Sequence, residues 1–496
     1  MENLRNRTLS GLGWSGAAQV ARQLVQFIIS VILARLLSPE DFGLIGMIIV
    51  FTGFASLFYE LGLGTALIQK LDLDERHLNS VFWVNIVTGI ILTGTVVGAA
   101  PLIASFYDEP ALRPLTILIA LNFIIGSFNV VQNALLNKNM DFRRLAQLEI
   151  MATSLASIIG ITMALTGFGV WSLVWQSLML TTVSSVMMWW VSAWRPTFSF
   201  ETGALKELLG FSSNLLGFNI LNYWMRNLDN VLIGKFIGSS ALGIYTRAYS
   251  LMLLPISQIS GVVSRVMFPA LSAIQHDIER VKRVYLRSTR SIALVTFPLM
   301  IGLLVVAKPF IMTVYGDKWR DVIPILQIFC LVGMTQSIGT TVGWIYTSQG
   351  RTDIMLKWGI FSGIVRGIAF IVGLKWGVIG VALAYALSGY LILWYPGWAI
   401  PGRLINLRFT EMLKNLSGPF YCALAMGALQ WGLGFILPIG WPHWVCLVLQ
   451  VAFGISAYVL LIHFFKIRAY TETRELVIEQ WRQRFKAQDA ASSMME

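Results

Sequence analysis

Along almost its whole length this chain alternates apolar runs of about 20 residues with short polar turns, and each run is long enough to cross a hydrocarbon layer as a helix. Of its 496 residues 56% are hydrophobic and 12% are charged, and mean hydropathy is +0.69. A water-soluble globule around one core is excluded, and too little chain lies between the runs for a soluble domain. Spans are expected at 12–37, 42–67, 81–106, 115–136, 146–165 and 170–193, then at 208–237, 242–271, 292–314, 322–346, 355–374 and 378–398. Two more follow at 419–437 and 444–465. The expected fold is all-α and polytopic, with about 14 transmembrane helices.

The first twelve spans form two sets of six. Val31 to Ile45 (VILARLLSPEDFGLI) pairs with Val231 to Tyr245 (VLIGKFIGSSALGIY), so that Val31 meets Val231, Arg35 meets Lys235 and Gly43 meets Gly243 at an offset of 200. At an offset of 208, Tyr107 to Leu118 echoes Tyr315 to Leu326, and Phe168-Gly169-Val170 echoes Trp376-Gly377-Val378. The expected organisation is a six-helix lobe over 1–200, a second over 201–402, two additional helices over 403–465 and a tail over 466–496. Internal duplication of this kind marks transporters whose halves rock about a central site.

Charge placement orients the chain. With the N-terminus inside, 25 of the 37 Lys and Arg fall in inner segments, 7 in outer turns and 5 within spans. That asymmetry predicts cytoplasmic termini. It also accounts for the formal net charge of +12 without nucleic acid, through attraction to anionic membrane lipids. Arg280, Lys282, Arg283, Arg287 and Arg290 share a stretch in which Ile274, Ile278, Val281 and Tyr285 lie on one face, which reads as a cytoplasmic surface helix. Cys330, Cys422 and Cys446 fall inside spans as packing residues, and the four histidines form neither a metal pair nor a catalytic triad. No cofactor is expected, and no enzyme.

Polar residues inside the spans point to a cavity. Ser15, Gln19, Arg22, Gln26 and Ser30 lie on one face of the first span. Shifted by the repeat offset, the stripe becomes Leu215, Asn219, Asn222, Arg226 and Asn230. The eighth span adds Arg247, Gln258 and Arg265, and the eleventh Arg366. An arginine at mid-bilayer costs about 2.5–3.5 kcal/mol on insertion scales, so these side chains are expected to face protein or water. Their forked donors suit phosphate or carboxylate. The carboxylates of the spans are Asp229, placed to pair with Arg226 or to bind a coupling ion, and Glu60, a candidate proton carrier or neutraliser.

The segments LARLLSPEDFGL (Leu33 to Leu44), DNVLIGKFIGSSALGIYTRAYSLMLLP (Asp229 to Pro255) and FPALSAIQHD (Phe268 to Asp277) resemble those of bacterial polysaccharide exporters and O-antigen flippases. These belong to the multidrug/oligosaccharidyl-lipid/polysaccharide superfamily. The resemblance implies two six-helix lobes and alternating access that moves an undecaprenyl-pyrophosphate-linked sugar unit across the inner membrane, alongside a polysaccharide polymerase and export machinery. It also implies essential arginines in the first, second and eighth spans; Arg22 and Arg265 fit the first and eighth, while the second offers only Glu60. Sodium ligands in the seventh and eleventh spans of some relatives correspond to Asp229 and, at the mouth of its span, Asp353, which leaves proton or sodium coupling open. The expected binding set is Arg22, Arg226 and Arg366 for pyrophosphate with Arg265 assisting, Arg247 as a further substrate-binding residue, and Gln19, Gln26, Asn219, Asn222 and Gln258 for sugar or water. A multidrug antiporter is the nearer alternative and needs carboxylates in the cavity. A membrane polymerase or ligase is more remote, because the outer segments are short turns.

Overall fold

The computed structural model describes residues 23–59, 63–70, 72–203, 213–438, 440–467 and 470–471. Among them there is no strand. The helices are α1 (Gln23–Leu36), α2 (Pro39–Tyr59), α3 (Leu63–Gln69), α4 (Glu75–Tyr107), α5 (Leu112–Ser127), α6 (Val130–Lys138), α7 (Phe142–Leu165) and α8 (Trp171–Val191). There follow α9 (Ser213–Phe236), α10 (Ser239–Ala273), α11 (Ile278–Val314), α12 (Val322–Gly339), α13 (Val342–Ser348), α14 (Thr352–Gly373), α15 (Gly377–Leu387), α16 (Trp394–Leu404), α17 (Phe409–Ile436) and α18 (His443–Phe464). A π-helical segment, Ser388–Leu393, joins α15 to α16.

Within the described residues each expected span overlaps one or more of these helices. Eight helical stretches of the described residues are long and apolar enough to cross a membrane, and α5 with α6 makes a ninth. One of the eight, Thr352–Leu404, holds two expected spans; α1, α8, α9 and α10 supply the rest. The chain gathers into two compact units, Met1–Thr246 and Arg247–Glu496, the division falling within α10.

The duplication is visible in the backbone. Asp108 (φ 59°) and Gly316 (φ 88°), aligned at offset 208, both have positive φ, as do Gly169 (φ 53°) and Gly377 (φ 68°), although ψ is 35° at Asp108 and −179° at Gly316. Asp and Gly tolerate that conformation better than most residues. No atom lies within 4 Å of a Cβ built on Gly377, so a substitution there is opposed by backbone strain alone. Gly377→Ala is expected to lower stability by about 1–3 kcal/mol, read as an earlier thermal transition in detergent; an unchanged transition would contradict the positive φ assigned to this turn.

Repeat-related spans four and ten are also both broken. The fourth bends by 48° between α5 and α6, and the tenth is interrupted between α12 and α13. In lipid the carbonyls released at a break need partners from the protein. In the first unit Ser185 Oγ donates to Ile125 O at 3.1 Å and Trp189 Nε1 to Phe128 O at 2.7 Å, both from α8. In the second, Thr341 Oγ1 donates to Ile338 O at 2.7 Å, and Tyr285 Oη lies 3.0 Å from the same hydroxyl.

The basic stretch at 280–290 is no separate surface helix. It forms the first turns of the 37-residue α11, with Val281 and Tyr285 completely buried. Lys282 pairs with Glu411 at 2.8 Å and donates to Asn406 O, and Arg290 Nε donates to Asn415 Oδ1 at 2.9 Å. The apolar face predicted from spacing therefore packs against the second unit's own helices. At the start of α4, Asp74 caps the helix through His77 N, and the adjacent Arg76 guanidinium holds the Asp74 carboxyl well below the usual carboxylate range.

Candidate functional site

Of the expected site residues, Gln19, Arg22 and Glu60 lie outside the described residues, as does the side chain of Arg265, whose backbone is part of α10. On α1 Gln26 is exposed; on α9 Asn222 and Arg226 are exposed and Asn219 is half-buried; on α10 Gln258 is half-buried. The polar stripe of α9 adjoins an aromatic seam with α2. Tyr223 Oη donates to Val50 O at 2.6 Å, and Phe54 packs on Trp224 with ring centroids 5.1 Å apart. That seam fixes the rotation of α9 and so the direction of its stripe. Asp229 accepts from Tyr245 Oη at 2.9 Å and from Asn230 N at 2.9 Å, which ties the carboxylate of α9 to the buried start of α10.

The two described arginines of the second unit's spans both meet aromatic rings. The Arg247 guanidinium carbon is 5.5 Å from the Tyr315 centroid and 5.3 Å from that of Trp319. Both rings are buried, Trp319 completely. Arg247 is thus sheltered near the turn that precedes α12.

Arg366 is placed differently. On α14 the exposed apolar residues Phe361, Ile364, Ile368 and Ile371 recur every three or four positions and define the lipid-facing stripe. Arg366 is two residues from both Ile364 and Ile368, about 200° around the helix, and so points away from lipid. On α15 the stripe is Ile379, Leu383 and Leu387, and Tyr385, midway between the last two, likewise turns inward. The two inward faces meet: the Arg366 guanidinium carbon lies 5.5 Å from the Tyr385 centroid. Tyr385 in turn is bedded on Phe370, at 5.7 Å, and on Phe329, at 6.3 Å, and Phe329 contacts Tyr249 at 5.6 Å. Arg366 Nε is buried without a hydrogen-bond partner.

A ring face attracts a guanidinium by about 0.5 kcal/mol when exposed and 2 kcal/mol or more when desolvated, yet it does not accept in-plane hydrogen bonds as a carboxylate does. The cation is positioned while its donor edge stays suited to a forked anion. Spacing singled out Arg366, but its aromatic bed was missed: Tyr385, Phe370 and Phe329 are three more apolar residues in a chain rich in them, and only their placement gives them a role. Among the described residues no group of three His, Cys, Asp or Glu could hold a metal ion.

The family described as polysaccharide biosynthesis protein matches residues 32–324, more than half of the chain. The chain is 28% identical to the teichuronic acid biosynthesis protein TuaB of Bacillus subtilis over 97% of its own length and 100% of the relative's. It is 27% identical to the succinoglycan biosynthesis transport protein ExoT of Rhizobium meliloti over 91% of its length and 92% of the relative's. Among solved structures it resembles the lipid II flippase MurJ in an inward closed conformation, with a TM-score of 0.73 at 17% identity, covering 93% of this chain and 99% of that one. The likeness shows a shared fold.

Proposed function

This chain belongs to the polysaccharide biosynthesis protein family, and from that premise we propose that it is an alternating-access transporter carrying lipid-linked polysaccharide repeat units across the bacterial inner membrane. The observation that carries the reading is Arg366, a charged side chain within an apolar helix, turned from the lipid stripe and seated on Tyr385. A diphosphate bridge between lipid and sugar is the anion such a receptor suits. In this reading undecaprenyl pyrophosphate is the lipid carrier, and Arg22, Arg226 and Arg265 join Arg366 at the pyrophosphate. Gln19, Gln26, Asn219, Asn222 and Gln258 hydrogen-bond sugar and water. Both termini are cytoplasmic, on the balance of inner and outer Lys and Arg, and the head group enters from that side. Asp229, held by Tyr245, serves proton or sodium coupling together with Glu60, and Arg247 steadies the turn before α12. Export of cationic drugs, the rival reading, needs carboxylates where the α14–α15 face offers a guanidinium.

The experiment is removal of the protein from its host. Lipid-linked repeat units are expected to accumulate on the cytoplasmic leaflet while surface polysaccharide falls. Normal polysaccharide with no accumulated intermediate would refute the proposal.

A further inference from the structure

Within the first unit, two segments that the sequence aligns as repeat partners touch each other reciprocally. A Cβ built on Gly43 would lie 1.7 Å from the carbonyl oxygen of Ser239, and one built on Gly243 would lie 1.9 Å from the carbonyl oxygen of Pro39. Pro39 and Ser239 are partners at the offset of 200, as are Gly43 and Gly243. Each glycine thus receives the carbonyl of the other copy's helix start, the self-complementary pattern of a two-fold contact. Neither position has room for a side chain, since both contacts are with backbone that no rotamer change can move aside.

The same end of the unit carries a charged clasp. Asp108, left-handed at the turn after α4, pairs through Oδ2 with Lys235 Nζ at 2.5 Å. Ser239 Oγ donates to the neighbouring Glu109 Oε1 at 3.5 Å. On the other side of the crossing, Ser38 Oγ and Ser38 N both donate to Asp41 Oδ2 at 2.8 Å, which fixes the first turn of α2. The starts of α2 and α10 are therefore pressed together at two glycines, and beside them an ion pair ties the end of α9 to the turn after α4.

We propose that this reciprocal glycine seat, with its Lys235–Asp108 clasp, is the latch that closes the outer mouth of the polar stripe on α9. It rests on the orientation given above, with both termini cytoplasmic. Passage outward requires the seat to part, and any side chain at Gly43 or Gly243 holds it apart. The clasp is the weaker half, because it is partly exposed and salt-screened.

The test needs no substrate, so it stands apart from the transport reading. In a variant lacking Cys330, Cys422 and Cys446, Asn230→Cys places a thiol on the α9 stripe six residues before Phe236. Its reaction with a membrane-impermeant thiol reagent is followed from each side of the membrane. With the latch intact, labelling from the outer side is slow. Gly243→Ala or Gly43→Ala is expected to raise that rate about tenfold or more, by overfilling the seat. Asp108→Asn keeps a residue that tolerates the left-handed turn and is expected to raise it about two- to fivefold. Should the glycine variants fail to accumulate, Asp108→Asn decides alone. Outer-side labelling equal to that of the parent would overturn the proposal, and an increase seen only from the cytoplasmic side would overturn it through the orientation on which it rests.

Discussion

Arg366→Gln is expected to abolish polysaccharide export while leaving the protein in the membrane at its normal level. A hydrogen bond to a charged group contributes about 1.5–3 kcal/mol, so losing one such contact weakens pyrophosphate binding about 10- to 150-fold. Arg366→Lys keeps the charge and loses the fork, and should retain a fraction of the activity. Tyr385 gives the control for position: Tyr385→Phe keeps the ring face that holds Arg366, whereas Tyr385→Leu removes it. The leucine variant is expected to bind about 2- to 30-fold more weakly, the range of a cation–π contact, and the phenylalanine variant close to normally. Complementation of a deletion strain, with protein level measured in parallel, checks the series. Full export by Arg366→Gln would remove the site from the account.

Trp319→Ala should act on folding rather than on transport. The ring is completely buried and is one of two that shelter Arg247, so truncation combines the cost of a large cavity, about 3–5 kcal/mol, with loss of a cation–π contact of about 0.5–2 kcal/mol. Total stability of a fold is typically about 5–15 kcal/mol. The variant is therefore expected to show a sharp drop in accumulated protein and in thermal stability in detergent, while Trp319→Phe, which preserves a ring face, loses much less. Normal accumulation of Trp319→Ala would show that the turn before α12 is held by other contacts.

Much of this architecture can be read from residue order. The apolar runs foretell the helices, and the offset of 208 foretells that Gly169 and Gly377 share a positive φ, because a turn that needs positive φ restricts the residues able to occupy it. Span ends are less legible. The interruptions after Ser127 and Gly339 leave hydropathy unchanged, since the freed carbonyls are satisfied by Ser185, Trp189 and Thr341 from within otherwise apolar segments. The basic stretch at 280–290 looks like a surface helix because its buried face is only two or three residues wide; its true partners, Asn406, Glu411 and Asn415, are more than 100 residues away. The arginines stand out against apolar neighbours, so Arg366 and Arg247 are found by inspection. What supports them is hidden, because aromatic rings that hold a cation and rings that merely fill space are written with the same letters.

The central claim is that this protein moves a lipid bearing a pyrophosphate-linked sugar and that Arg366 holds its phosphates. The most direct measurement uses purified protein in liposomes containing a fluorescent undecaprenyl-pyrophosphate oligosaccharide, with an external quencher reporting how much of the lipid becomes accessible. Wild-type protein should expose the inner pool and Arg366→Gln should leave it protected. Equal exposure by the two proteins, or no exposure by either, would contradict the account.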